Sequence, residues 1–242
     1  MSPDWIVPGW PAPAAVRALA TTRAGGVSVP PYHGCNLATH VGDEPRAVAE
    51  NRRRLGSALP AEPLWLAQVH GTRVVNAEEA ESGIEADACV ARSAGRVCAV
   101  LTADCLPVLL ADDAGSVVAA AHAGWRGLAA GVLEQTVAVM AVAPARLVVW
   151  LGPAIGPAAF EVGQEVREIF CAHDPAAAGA FAANDRGRWQ CDLAALARQR
   201  LARAGVARVF GGGLCTYSDP GRFYSYRRDG VTGRMASLIW LA

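Results

Sequence analysis

The sequence predicts an α+β fold, with mixed β-sheets covered by outer helices in one compact domain spanning residues 1–242. Three observations lead there. Hydrophobic residues make up 52% of the chain and charged residues 18%, which supplies a large core and argues against disorder. Short apolar runs bounded by Gly, Pro and Asp read as buried strands. Helical stretches fall between them without the regular strand–helix alternation of a parallel doubly wound sheet.

Taken in order, Pro8 to Pro13 and Gly25 to Gly34 are rich in turn residues and read as irregular chain with short strands. Ala47 to Glu50 has helical character, and the run Arg52-Arg53-Arg54 continues it as a solvated helix face. Trp65 to Val69 and Arg73 to Ala77 suggest two strands about a Gly71-Thr72 turn. Arg96 to Thr102, Pro107 to Ala111 and Ser116 to Ala121 are three buried-type strands, the last two joined by the turn Asp112-Asp113-Ala114-Gly115. A helix follows over Leu128 to Ala141 and stops before Pro144, because the residue preceding proline disfavours the helical conformation. Leu147 to Leu151 is a strand, Val162 to Ala172 and Asp192 to Ala204 have helical spacing, and Ala207 to Phe210 and Met235 to Leu241 are late strands.

Composition excludes several chemistries. Formal net charge is +0, so no field draws the chain to nucleic acid or an anionic membrane. All 22 basic residues are Arg. A chain without Lys has no P-loop lysine, no Schiff-base lysine and no kinase-type lysine. Met1 to Trp10 lacks the basic start and apolar run of a secretion signal, and the apolar stretch Leu147 to Phe160 is broken by Gly152, Pro153, Gly156 and Pro157. The 7 cysteines form no CxxC pair, which suits reduced thiols in the cytoplasm better than a disulfide framework. No HExxH, GxSxG, calcium-loop or dinucleotide-binding glycine pattern occurs.

What remains is a set of soft and nitrogen donors. His70 lies in Gln68-Val69-His70-Gly71, Cys105 in Ala103-Asp104-Cys105-Leu106-Pro107, and His122 in Ala121-His122-Ala123-Gly124. Each stands at the edge of an expected strand beside Gly or Pro. Two imidazoles and a thiolate suit zinc and leave a fourth position open, the catalytic arrangement. By spacing alone, an inert buried Cys and two hydrogen-bonded histidines account for these residues better. His40 and His33, each alone, read as structural, and His173 lies near the end of a helix.

The motifs resemble those of the YfiH family, also called the laccase-domain or multicopper polyphenol oxidoreductase family. The resemblance runs through most of the chain: Thr21 to Ser28, Asn36-Leu37 with His40 to Asp43, Gln68 to Gly71, Thr102 to Pro107 and His122 to Gly127. It continues through Gly152 to Gly156, Glu161 to Gly163, Cys215 to Tyr217 and Phe223 to Gly230. Ala158 departs from it, standing where many relatives carry Cys. The resemblance implies a fold like that of cysteine-hydrolase-like toxins and zinc held by His70, Cys105 and His122. It also implies phosphorolysis of adenosine, inosine, guanosine and methylthioadenosine, with adenosine deamination as a second reaction.

These activities set requirements on the residues. Zinc makes hydroxide available near neutral pH for attack on C6 of adenine. Asp104, adjacent to Cys105, is the candidate proton shuttle, although an acceptor for a ligand histidine or a turn is its ordinary reading. Phosphorolysis needs phosphate, as co-substrate, held beside a sugar that gains positive charge. Only Arg can hold it here: Arg23, followed by Gly25 and Gly26, is the first candidate and Arg126 the second, ahead of Arg227 and Arg228. Three other readings compete. A copper polyphenol oxidase is one, but 5 His residues are few for a multicopper cluster. A cysteine hydrolase or amidase of peptidoglycan editing would use Cys105 as nucleophile. A non-catalytic partner protein is the third.

Overall fold

A computed structural model describes residues 4–242. Its first elements are strand β1 (Val16–Ala20), helix α1 (Pro45–Gly56), and strands β2 (Val74–Asn76), β3 (Ala88–Ala91), β4 (Cys98–Thr102), β5 (Leu106–Asp112) and β6 (Val118–Ala123). Helices α2 (Trp125–Ala130) and α3 (Val132–Met140), strands β7 (Leu147–Leu151) and β8 (Glu161–Val162), and helix α4 (Gln164–His173) follow. The chain ends with β9 (Phe181–Ala183), β10 (Trp189–Cys191), α5 (Leu193–Arg203), β11 (Arg208–Gly211), α6 (Tyr226–Asp229) and β12 (Met235–Leu241).

A six-stranded mixed sheet has the order β11-β7-β5-β6-β3-β2, parallel at β11–β7 and β2–β3 and antiparallel between. Beside it lie the antiparallel sheets β1-β12-β4 and β8-β10-β9. Strand side chains alternate between faces, and that alternation sorts the core. Val108, Leu110, Ala119, Ala121 and Val149 pack with Leu128, Leu133, Phe170 and Leu201 of the helices. The intervening Leu109, Ala111, Val118, Ala120 and Val148 pack with Val16, Val100 and Ile239 of the β1-β12-β4 sheet. That sheet's far face, through Leu19, Leu101 and Leu238, meets Leu55 of α1 and Trp65. Strands β3 to β7 are therefore covered on both sides, which is why they read as unbroken apolar runs rather than alternating ones.

Three local expectations are corrected. Trp65 to Val69 and Arg73 to Ala77 form no hairpin. Residues 65–69 make only an isolated bridge, Ala67 to Glu85, and β2 pairs parallel with β3. The reason is at His70, whose φ of 62° turns the chain into a loop. The helix expected over Leu128 to Ala141 begins at Trp125 and breaks at Gly131, whose φ of 102° ends α2 and starts α3. The Arg52 to Arg54 run is only partly a solvated face. Arg53 and Arg54 pair with Glu50, whereas Arg52 packs 4.2 Å over the Trp65 ring. Among the described residues no helix is long and apolar enough to cross a membrane.

Candidate metal centre

His122 lies on β6, opposite Pro107 in the sheet ladder, and is 3% exposed. Its Nδ1 is 2.8 Å from Asp87 Oδ1, so Nε2 is left to face the open end of the site. Cys105 sits in the connection between β4 and β5, directly after Asp104, whose φ is 94°. His70 sits on the loop before β2, and its Nε2 is 3.7 Å from the Cys105 Sγ. One donor atom from each of His70, Cys105 and His122 lies within 4.8 Å of the others. The two imidazoles meet edge to face, with centroids 4.8 Å apart.

Asp87 holds this arrangement, and the sequence reading did not single it out. Its fully buried carboxylate accepts the amides of Val69 (3.2 Å), His70 (2.9 Å) and Gly71 (2.7 Å) besides facing His122. Burial pushes its pKa up, but the His122 imidazole and the Gly71 and Val69 amides outweigh that and hold the carboxyl below the usual range. The available signal was one acid at the head of the apolar run Ala88 to Ala91. Gly124 completes the packing: a Cβ there would lie 2.8 Å from His70 Cδ2 and 3.0 Å from Cys105 Sγ.

The electrostatics favour a thiolate. Burial raises the Cys105 thiol, but the His122 charge and hydrogen bonds from His122 and His70 outweigh it and bring the thiol down to about 6. Burial likewise lowers His122, but the Cys105 charge and the Asp87 hydrogen bond raise it to about 9. Two imidazoles and a thiolate, converging with a carboxylate behind one imidazole, suit a zinc ion with an open position.

The trio faces a cavity of about 350 Å³, which is within the usual range for small-molecule sites. His40, Gln68, Thr102, Tyr226 and Arg234 complete its polar lining. Sequence reasoning picks out neither Arg234 nor Gln68 as a site residue, and it takes His40 as structural. The other sequence candidates are placed elsewhere. The Asp104 carboxylate accepts the Thr216 hydroxyl and the Arg227 amide, each at 2.6 Å, and does not line the cavity. Arg23 stacks on Tyr224 and donates to the carbonyls of Pro220 and His33. Arg126 stacks on Trp125, and neither arginine lines the cavity. Arg227 donates to the Glu161 carbonyl, and Arg228 to those of Thr216, Tyr217 and Phe223.

Relatives share this frame. A Pseudomonas aeruginosa protein named a purine nucleoside phosphorylase is 56% identical over 98% of each chain. The Escherichia coli purine nucleoside phosphorylase YfiH is also 56% identical over 98% of each chain. A crystal structure from Neisseria meningitidis superposes with a TM-score of 0.95 at 54% identity, covering 98% of this chain and 99% of that one. The family model described as multi-copper polyphenol oxidoreductase laccase matches residues 17–242, which run from within β1 through the His–Cys–His trio to just past the end of β12. The chain belongs to that family.

Proposed function

We propose that this chain is a zinc-dependent purine nucleoside phosphorylase, taking adenosine, inosine, guanosine and methylthioadenosine, with adenosine deamination as a side reaction. The observation that carries the reading is the convergence of His70, Cys105 and His122 at one cavity, in a chain whose near relatives bear that name. In phosphorolysis a phosphate oxygen bonds to C1′ of the ribose as the bond from C1′ to the base nitrogen breaks. The bond's electron pair leaves on the base, which takes up a proton, and ribose 1-phosphate forms. Zinc held by the trio would supply positive charge to a developing anion or a nucleophilic oxygen at neutral pH. The residues' own part is positional. Asp87 faces His122 Nδ1 and holds the loop that carries His70, so both rings are aimed at one point, where metal binding would displace any proton on the ligating nitrogens. Free thiols at all seven cysteines accord with a cytoplasmic location.

The test is elemental analysis of protein purified without added metal, paired with adenosine turnover with and without phosphate. We expect about one zinc per chain, by the three-ligand rule, and ribose 1-phosphate only when phosphate is present. Cys105→Ala and His122→Ala should each lose the metal and turnover while remaining folded. Full activity without metal sinks the assignment. Copper without nucleoside turnover points to polyphenol oxidation, although the described residues bring together one His–Cys–His group and oxygen reduction to water needs several centres.

A second reading has its own observation. The order Cys105, His122, Asp87 has the layout of a thiol nucleophile, its base and an orienting carboxylate, with the thiol acidified. That is the arrangement a cysteine hydrolase uses. A metal-free protein whose Cys105 alone is rapidly alkylated would favour it.

A further inference from the structure

The cavity at the metal trio does not end there. A second cavity, of about 460 Å³, adjoins it and shares His40, Gln68 and Leu101 as lining. Arg234 lines the first compartment and Arg52 the second, with His40 common to both. No carboxylate lines either.

We propose that Arg234, His40 and Arg52 form an oxyanion subsite that takes inorganic phosphate beside the His–Cys–His trio. As the phosphorolysis co-substrate site, this proposal rests on the function proposed above.

The two guanidiniums lack the acidic partner that nine other arginines have among the described residues. Arg53, Arg146, Arg186, Arg200, Arg203 and Arg222 each have an acidic partner. Arg234 and Arg52 have none among the described residues. Arg234 is held by Nη1, which donates to the Thr232 and Gly233 carbonyls at 2.8 and 3.0 Å. No hydrogen bond within the described residues uses its Nη2 or Nε. Arg52 is held by Nε, which donates to the Leu37 carbonyl at 2.9 Å, and by its stack on Trp65. Its two terminal nitrogens are uncommitted in the same sense. Each guanidinium is thus fixed at one edge and has donors left at the other, the preorganised fork that matches tetrahedral oxyanions.

The field at this point agrees. Burial, and then Arg234 and Arg52, lower the pKa of His40, so both cations act on one imidazole. Burial also lowers both arginines, with Glu62 opposing it at Arg52 and the Cys105 and Asp104 charges opposing it at Arg234. Glu62 accepts the Trp65 indole N–H rather than pairing with Arg52. Half-buried cations without a partner are unfavourable, and a bound dianion relieves them. A chain without Lys leaves arginine as the fully charged ligand available to phosphate. Arg234 therefore stands in the compartment of the metal-ligating trio and Arg52 in the adjoining one, with His40 between them, and a nucleoside with phosphate spans both.

The experiment uses the purified full chain, Arg52→Gln and Arg234→Lys, titrated with inorganic phosphate by thermal shift and, separately, in turnover. Arg234→Lys keeps a charge in case a neutral side chain fails to support the 232–234 turn. Wild type should be stabilised by phosphate through simple linkage. Each variant should need roughly tenfold more phosphate, the loss expected of one charge-assisted contact, with the nucleoside KM within about twofold of wild type by the same arithmetic. Superimposable phosphate titrations in all three proteins overturn the subsite. So does a phosphate defect in Arg23→Gln with none in these two variants, which would put the anion at the N-terminal turn. If phosphate stabilises wild type but not the variants while no nucleoside turns over, the anion site stands and the phosphorylase reading falls. If turnover needs phosphate and the variants match wild type, the phosphorylase stands and this subsite falls.

Discussion

The two histidines of the trio are held by different physics. His122 belongs to β6, between β5 and β3 in the middle of the six-stranded sheet, where ladder hydrogen bonds and apolar packing on both faces fix the backbone. His70 belongs to a loop with a left-handed φ of 62°, a conformation unfavourable for a residue with a Cβ. No ladder holds that loop. The Asp87 carboxylate does so instead, through the three successive amides of residues 69–71. A strand-borne ligand inherits its position from the core. The loop-borne ligand depends on one buried charge, and the difference locates the weak point of the site.

Asp87→Asn should break that comparison most strongly. The substitution removes the charge and turns an amide NH2 towards backbone N–H donors that need an acceptor. Metal affinity, measured by competition with a chelator, should fall about 10–100-fold, as for other supporting residues of metal ligands. Hydrogen exchange at 69–71 should accelerate while the β6 amides remain protected. Equal acceleration in β6 would show that the two regions share one support after all.

Gly124→Ala tests the same asymmetry through sterics. A Cβ within 2.8 Å of His70 Cδ2 and 3.0 Å of Cys105 Sγ forces something to move. The loop should yield and the strand should not, so a structure of the variant should show His70 displaced and His122 in place. Overpacking of this kind costs about 1–3 kcal/mol, read as a lower midpoint of thermal unfolding together with reduced metal occupancy. Displacement of His122 instead would reverse the ranking of the two supports.

The same contrast explains what the sequence reveals. Strands β4 to β7 and β12 are legible because burial on both faces writes itself as continuous apolar runs, and α4 and α5 because their apolar residues recur at helical spacing. The loop around His70 is not legible as a loop. Its shape comes from Asp87, which lies 17 residues further along the chain, and no local pattern encodes such a contact. Donor type at the edges of expected strands picks out His70, Cys105 and His122, and motif resemblance makes them metal ligands, whereas Asp87, Gln68 and Arg234 acquire roles only when the chain before β3, the loop and the chain before β12 meet. The Gly131 break is hidden because an isolated glycine inside a helical pattern is tolerated and need not end the helix.

Asp104 sharpens the comparison from the opposite side, with the smallest expected effect at the metal. It neighbours a metal-ligand candidate in sequence, as Asp87 does in space, yet its carboxylate turns to the Thr216 hydroxyl and the Arg227 amide. Asp104 therefore ties the C-terminal segment to the β4–β5 turn, and its backbone carbonyl also accepts the Ile155 amide at 2.9 Å. Asp104→Asn retains one acceptor oxygen and leaves one of the two donors facing an NH2 group. A buried donor deprived of its acceptor costs about 1–3 kcal/mol, so the variant should unfold at lower temperature. Metal content should stay near that of wild type, because this carboxylate bonds none of the three donor side chains. A variant that keeps its unfolding midpoint but loses turnover at full metal occupancy would instead make Asp104 the proton carrier that its position beside Cys105 first suggests.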